Sequence, residues 1–542
     1  MRSAKAQSWF AILALAGASA GIVAAAVTVD DTIAVRAEKQ VSVGPAAQSE
    51  IDRHFEEAWQ ANQVSPAELA DDLIVLRRAS LALHGTVPSL EEIRIYEADE
   101  RPDRLRIRIR AMLDDSRFAD YFAERLARPW VGVSTDPFLI YRRDRFTRWL
   151  AKELRENRPY DAIARAVLST DGLWTSEPAA NFVTSAVAND DLDENVLTAR
   201  TVRGFLGQRI DCAQCHDHPF ANWKQTEFQG LAAFFGQSAV SFQGVVDQPR
   251  MFENALEYKI ENPETKAEQV IAPGVPFLKE CLPVDGSRRD RLAAWITDPR
   301  NERFSRAAVN RVWGLMFGRP YIAPVDDLPD PGDVSTVLLD RLGAAFRDSG
   351  YDLRWLIETI ILSRPFRASS SLDGADDDEY QKAAEHWAVF PMTRLRPEQV
   401  IGAMIQAGRL QTIDQNSNLL ARSIRFFREQ DFVGEYGDVG EAELDARSGT
   451  VSQALLRMNG KLTRELFEAG PFSAAGRLAN LTENDSRLVE LCFLVTLARR
   501  PTREEHQHFL TLVEGTQKES QARATEDMLW SLVNSAEFSW NH

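Results

Sequence analysis

The sequence predicts a mainly α-helical protein of two packed helical domains, with a small β or extended element between them. Three observations carry that prediction. Apolar residues recur at helical spacing through most of 67–238 and 278–542. Helix start and stop signals are dense in the same two stretches. Between them, residues 239–277 change to short β-branched runs broken by proline and asparagine.

Taken in order, the chain opens with Arg2 and Lys5 before an apolar run from Phe10 to Val27, with Ala24-Ala25-Ala26 as a small-residue cleavage site. Residues 1–27 therefore read as a secretory signal peptide or, uncleaved, as an N-terminal anchor whose residues 10–27 tether the protein to a membrane. The expected location is exported, periplasmic or cell-surface. Residues 28–66 are polar and alanine-rich and read as a spacer. In 67–238, Ser89-Leu90-Glu91-Glu92 is a capping box. Leu105, Ile109, Met112 and Leu113 define an amphipathic helix after Pro102, and Phe118, Phe122 and Leu126 continue the pattern. Leu150, Leu154, Ile163 and Val167 mark two more helices around Asn157–Asp161. The β element rests on Val245, Val246, Tyr258, Ile260, Val270 and Ile271. In 278–542 the helices resume with Leu292, Trp295 and Ile296, then Val309, Val312, Trp313 and Met316. Gly350 reads as a C-cap glycine, Asp352 as the start of the next helix, and Thr502-Arg503-Glu504-Glu505 as a further start. An acidic loop at 376–379 and a glycine-rich loop (Gly434, Gly437, Gly440) interrupt this half. There is no internal repeat at solenoid period.

The chain has 542 residues, 44% of them hydrophobic, enough for a sizeable core, and a net charge of −17. With no long Lys/Arg tract, nucleic acid is not the expected partner, because neutralising phosphates needs a basic face. Arg142, Arg143, Arg145 and Arg148 read as a solvated helix face. Four cysteines are too few to staple so long a chain. Cys492 reads as a packing residue, and Cys281 sits in a proline-flanked loop. Asp326 and Asp327 are adjacent and point apart on most backbones, a poor hydrolytic pair. No Ser-His-Asp arrangement, phosphate loop or dinucleotide fingerprint is present.

The strong chemical signal is Cys212-Ala213-Gln214-Cys215-His216. Covalent haem c needs two thiols spaced to reach both vinyl groups and an adjacent imidazole for the iron, and this pattern supplies all three. Cys212 and Cys215 would form the thioethers and His216 would be the proximal ligand. His218 suits a supporting hydrogen bond or a propionate contact, and Asp217 could orient a ring nitrogen. Two other readings stay open: a Cys212–Cys215 disulfide, or zinc bound by Cys212, Cys215, His216 and His218, which is cramped for four ligands. Trp223, Phe228, Leu231, Phe234 and Phe235 follow, either as walls of a haem pocket or as ordinary core. Met251, Met316, Met392, Met404, Met458 and His386 are the available distal donors, and the sequence does not choose among them. A methionine there would point to electron transfer, an open position to small-molecule or peroxide chemistry.

The motif sits in a longer context. Arg200-Thr201-Val202-Arg203-Gly204-Phe205-Leu206-Gly207 leads into it, and Asp217-His218-Pro219-Phe220 and Gly230-Leu231-Ala232-Ala233-Phe234-Phe235 follow. This resembles the planctomycete cytochrome C-like domain of unknown function. That domain is typically paired with a planctomycete-specific C-terminal domain, also of unknown function. The second is resembled by Leu292–Thr297, Asn310-Arg311-Val312-Trp313, Phe317-Gly318-Arg319, Asp326-Asp327, Gln453–Asn459 and the terminal Asn534–Phe538 with Asn541-His542. Where relatives carry a Ser-His-Pro-like turn, this chain reads Val334-Ser335-Thr336-Val337. The resemblance implies an exported, haem-like protein without a demonstrated reaction. The expected function is electron transfer or support of an extracytoplasmic oxidation by a haem-dependent oxidoreductase, with a periplasmic redox partner. The alternative is a non-catalytic scaffold that binds a surface glycan, in which Cys212 and Cys215 form a disulfide or metal site.

Overall fold

The computed structural model describes residues 31–542 apart from 135–138, 189–190, 248–255, 262–265, 414–431, 439, 441–443, 446–448, 471–472, 483 and 515–517. The Phe10–Val27 run and Met251 lie outside the described residues. Among those described, no helix is long and apolar enough to cross a membrane.

Helices begin where side chains can cap them. The first region holds α1 (Asp31–Asn62), α2 (Asp72–His84), α3 (Leu90–Ala98), α4 (Arg104–Asp114), α5 (Ser116–Val131), α6 (Arg143–Arg155), α7 (Tyr160–Ser169), α8 (Glu194–Thr201) and α9 (Gln225–Ala232). At α3 the predicted capping box is formed: Ser89 Oγ accepts from the Glu92 amide at 3.1 Å and the Glu92 carboxylate accepts from the Ser89 amide at 2.9 Å. The second region holds α10 (Arg288–Ile296), α11 (Glu302–Phe317), α12 (Val337–Asp348), α13 (Leu353–Ile361), α14 (Asp377–Glu385), α15 (Pro397–Ala407), α16 (Val451–Asn459), α17 (Lys461–Phe467), α18 (Ala474–Leu481), α19 (Asp485–Leu497), α20 (Arg503–Val513) and α21 (Lys518–Val533). Gly350 follows α12 at φ 75°, Asp352 caps α13 by accepting from the Trp355 amide, and Thr502 and Glu505 form the capping box of α20.

Among the described residues, four short antiparallel pairs complete the fold: β1 (Val187–Ala188) with β2 (Asp191–Leu192), β3 (Ser238–Ser241) with β4 (Gly244–Asp247), β5 (Lys259–Glu261) with β6 (Glu268–Val270), and the long-range pair β7 (Thr393–Arg394) with β8 (Trp540–Asn541). Two of them, β3–β4 and β5–β6, fall in the stretch expected to be β or extended.

Two expectations are corrected. The 28–66 stretch is not a simple spacer: α1 runs through it, and from Ala47 onward it joins the core, with Ile51, Phe55 and Trp59 at 0, 2 and 3% exposure. Those residues recur every four positions, one face of a helix, and the surrounding polar residues conceal the pattern. The acidic residues at 376–379 are not a loop but the cap and first turn of α14, where Asp376 accepts from the Glu379 amide at 2.9 Å. Carboxylates there complement the positive end of the helix dipole.

Residues Ala47–His542 form one compact unit. Its aromatic centre joins residues distant in sequence: Phe55 stacks on Trp313 at 6.0 Å between centroids, Trp313 on Phe317 at 4.6 Å, and Trp387 meets Trp313 edge-on at 5.4 Å. Trp295 and Trp313 are fully buried and Trp355 is 7% exposed, so all three are packing residues. Arginines, unexpectedly, are buried among them. Arg77 and Arg78 on α2 are both 0% exposed. Arg77 Nη1 donates to the Trp540 carbonyl at 3.0 Å. Arg78 Nε donates to the main-chain oxygen of His542 at 2.7 Å, and its Nη1 donates to the carbonyls of Phe366 and Ala368 at 2.8 and 2.7 Å. The Arg78 guanidinium also lies 3.8 Å from the centroid of the Phe390 ring. The strand β8 is thereby held between β7 and α2.

A second buried polar cluster lies at the end of α2. Burial pushes the His84 imidazole well down, to about 4, helped by the neighbouring Arg117 charge. Burial alone would raise Glu92, but the charges of Arg117 and Arg108 override it and hold the carboxyl at about 2. Arg117 and Arg108 each reach it at 2.7 Å.

Two outcomes are expected. Arg78→Met leaves three buried carbonyls without donors and should cost about 3 kcal/mol or more in urea unfolding. Arg78→Lys should recover only part of it, because an ammonium cannot span the same acceptors. Folded His84 binds its proton less tightly than the unfolded chain does. Its contribution is therefore complete above the ordinary value of 6.5 and lost as pH falls toward about 4. That of Glu92 is lost between 4.5 and about 2. Stability measured against pH should decline in that order on acidification. His84→Gln should remove the upper part of the decline, and an unchanged curve would rule out the assignment.

Candidate functional site

The motif is reached through the end of α8. There the helix widens into a π turn, Val202–Leu206, and stops at Gly207, whose φ of 63° is left-handed and open to glycine at no steric cost. Gly204 is required for closeness: a Cβ would sit 2.7 Å from Cδ1 of buried Trp130. The next residues are tied to the segment before α12. The Gly207 carbonyl accepts from the Leu328 amide at 2.8 Å, and Gln208 Nε2 donates to the Leu328 carbonyl at 2.5 Å. Gln208 Oε1 accepts from the Trp223 indole at 3.2 Å. Arg209 Nε reaches Asp326 Oδ1 at 2.7 Å, so this aspartate serves an ion pair.

Residues Asp211–Gln214 then form a 3₁₀ turn, pinned by the Arg203–Asp211 pair at 2.8 Å and by fully buried Ala213. Cys212 and Cys215 emerge on its outer side, exposed and not joined to each other. Cys281 and Cys492 are buried and also free. The two backbone carbonyls at the end of the turn are held by one side chain: Gln225 Nε2 donates to Cys215 O at 2.9 Å and to Gln214 O at 3.3 Å. Asp217 in turn accepts from the Gln225 amide and from Lys224 Nζ, both at 3.0 Å. That amide and then the ammonium hold its carboxyl below the usual range.

The two histidines of the motif are fixed in opposite states. His216 Nδ1 lies 2.7 Å from the Asp217 carbonyl, an atom that can only accept. Nδ1 must therefore carry the proton, and the Nε2 lone pair of this exposed ring is left over. His218 Nδ1 accepts instead, from the Ala221 amide at 3.0 Å and the Phe220 amide at 3.3 Å. Its backbone amide donates to the Trp223 carbonyl at 2.8 Å. His218 is thus a turn-closing residue whose lone pair is already used. Cys212, Cys215 and His216 share one exposed turn, and His218 is turned to its own backbone. Among the described residues no group of three or more His, Cys, Asp or Glu side chains converges to hold a metal ion, so the four candidate zinc ligands are not assembled as a cage.

The aromatics after the motif are core. Phe228, Phe234 and Phe235 are at 0% exposure, Leu231 at 2% and Trp223 at 8%. Leu231 and Phe235 line a crevice with Val202, Leu206 and Trp295 of only about 190 Å³. Pockets that take drug-sized ligands run to about 300–1,000 Å³. The expected pocket walls therefore do not enclose space for a macrocycle. Phe220, four residues after His216, is 94% exposed and edge-on to His218 at 6.5 Å. Of the distal donors, Met316 and Met404 are fully buried, and Met392 and Met458 are 52% and 37% exposed. The His386 carbonyl accepts from the Trp59 indole at 2.8 Å. Val334–Thr336, where relatives carry the histidine turn, is a 3₁₀ turn capped by Asp333. The basic face at α6 is paired: Arg143 with Glu124 at 2.9 Å and Arg148 with Asp144.

These residues fit covalent attachment in their chemistry: two unpaired thiols on one accessible turn and an imidazole with Nε2 available. Nitrogen NMR should find His216 as the Nδ1–H tautomer and His218 as the Nε2–H tautomer near neutral pH. Finding His216 as the Nε2–H tautomer would remove the stated basis for it as a ligand.

Comparison with known families matches residues 50–240 to PSCyt2, described as a protein of unknown function (DUF1549), and residues 288–513 to PSD1, described as a protein of unknown function (DUF1553). No curated protein and no solved structure matches the chain.

Proposed function

We propose that this chain, built from the PSCyt2 and PSD1 domain pair, is an exported c-type haem protein that transfers electrons or supports an oxidation outside the cytoplasm. One observation carries the reading. Cys212 and Cys215 are free thiols open to solvent on the turn that presents His216 with its Nε2 lone pair unengaged. Two such thiols with the adjacent imidazole are the donor set of haem c attachment. The chemistry that group supplies when held is one-electron exchange at iron.

The parts played by the chain follow from its contacts. The Asp217 carbonyl orients the His216 ring and keeps the proton on Nδ1. Gln225 and Lys224 hold Asp217, and Gln225 also holds both carbonyls of the turn, so the thiols and the ring keep one relative placement. Exposed Phe220, in contact with His218, offers an apolar surface for a redox partner. Zinc has weaker support, since His218 has no lone pair to offer and at most three donors remain. The glycan-binding scaffold has less support, since Trp295, Trp313 and Trp355 are packing residues.

The test is production of the full chain in a periplasm equipped for haem c maturation. The expected product is coloured, keeps its haem through a denaturing gel, and gives a pyridine haemochrome spectrum. Cys212→Ser and Cys215→Ser should each lose covalent attachment while the chain remains folded by circular dichroism. A colourless, folded wild-type product would overturn the proposal.

A further inference from the structure

A second site is assigned by charges that lack partners, far from the motif in sequence and independent of it. Arg457, in the last turn of α16, is only 6% exposed. Its Nε and Nη1 are buried with no hydrogen-bond partner among the described residues. The described groups that act on its charge are the Tyr436 hydroxyl, which accepts a hydrogen bond from it, and a second guanidinium, that of Arg394. Burial and the like charge of Arg394 both push Arg457 below its usual range. Arg394 lies on β7, in the register that pairs it with Trp540, and its guanidinium is seated against Gly449. A Cβ at Gly449 would fall 2.0 Å from Arg394 Nη1. Gly449 immediately precedes Thr450, the cap of α16, so the Arg394 guanidinium also lies at the positive end of a nine-residue helix. No described carboxylate pairs with either guanidinium.

Two guanidiniums and a helix N-terminus brought together raise each other's energy. A buried donor fork left unmade also costs free energy. Both costs vanish if an anion lies between them, since a planar guanidinium donates in parallel to two oxygens of a carboxylate, phosphate or sulfate. We propose that the space between Arg394 and Arg457, alongside α16, is a binding site for a small oxyanion group, with Tyr436 as its third donor. Charge selects the class: two guanidiniums are neutralised by an anion, whereas a neutral sugar hydroxyl offers only an uncharged acceptor and a cation is repelled. The tight seat at Gly449 sets Arg394 in place for it.

Isothermal titration calorimetry of the full chain, at constant ionic strength in chloride, tests the proposal with inorganic phosphate, sulfate and acetate as separate probes. Glycerol phosphate as a further arm separates a free ion from an esterified group. Saturable binding of one equivalent is expected for at least one probe. Arg394→Gln, at a partly exposed position, should weaken it about tenfold or more, the loss of one charge-assisted contact. Arg457→Met should abolish it. Gly449→Ala should weaken it by displacing Arg394 without removing a charge. Absence of saturable binding by any probe overturns the site, as does binding that Arg394→Gln leaves unchanged. If Arg457→Met does not fold, the other two variants decide.

Discussion

The contacts on which the rest of the structure depends are those between two buried guanidiniums and the carbonyls of the last strand. Arg77 and Arg78 bring two positive charges into the interior, and among the described residues no side-chain carboxylate is bonded to either; main-chain oxygens meet them instead. A buried charge without a partner is expensive, so these side chains are tolerable only because backbone carbonyls and an aromatic face surround them. Their acceptors come from residues 366, 368, 540 and 542, and the aromatic face from Phe390. The first helical region is therefore not a finished object by itself. Its own α2 is satisfied by the end of the second region, and the two matched families are two sequence regions of one compact unit.

The same economy operates at the motif. The turn that carries Cys212, Cys215 and His216 makes few apolar contacts apart from Ala213. It is held instead by a chain of hydrogen bonds through Gln225, Asp217 and Lys224 on one side and Gln208 and Arg209 on the other. The second set runs to Leu328 and Asp326, in the other family's segment. A site fixed in this way is placed accurately while remaining at the surface, and its accessibility suits attachment of a group delivered from outside better than capture in a cavity.

Much of this was legible in the sequence, and what was not has a common cause. Helix starts at Ser89, Asp352 and Thr502 could be read because a cap bonds to an amide two or three residues away. The β element in 239–277 and the burial of Trp295, Trp313 and Cys492 follow from local pattern in the same way. The Cys-x-x-Cys-His turn is likewise self-announcing. Arg77-Arg78 reads as a polar interruption of an apolar helix, because the carbonyls that bury it lie more than 280 residues on. The opposite states of His216 and His218 depend on which amides and carbonyls fold back onto each ring, and residue identity alone cannot supply that. The helix through Ile51, Phe55 and Trp59 could have been found from its spacing; polar composition outweighed it.

The pairing of β7 with β8 and the seating of β8 on α2 also set a schedule. A ribosome releases α2 long before Trp540–His542 exist, so Arg77 must wait in water until its acceptor 463 residues further on has been made. Contacts of such sequence separation are slow to close. Until they close, the aromatic face around Phe390 lacks its cover, and the newborn chain is a client for whatever keeps unfinished proteins from sticking to one another.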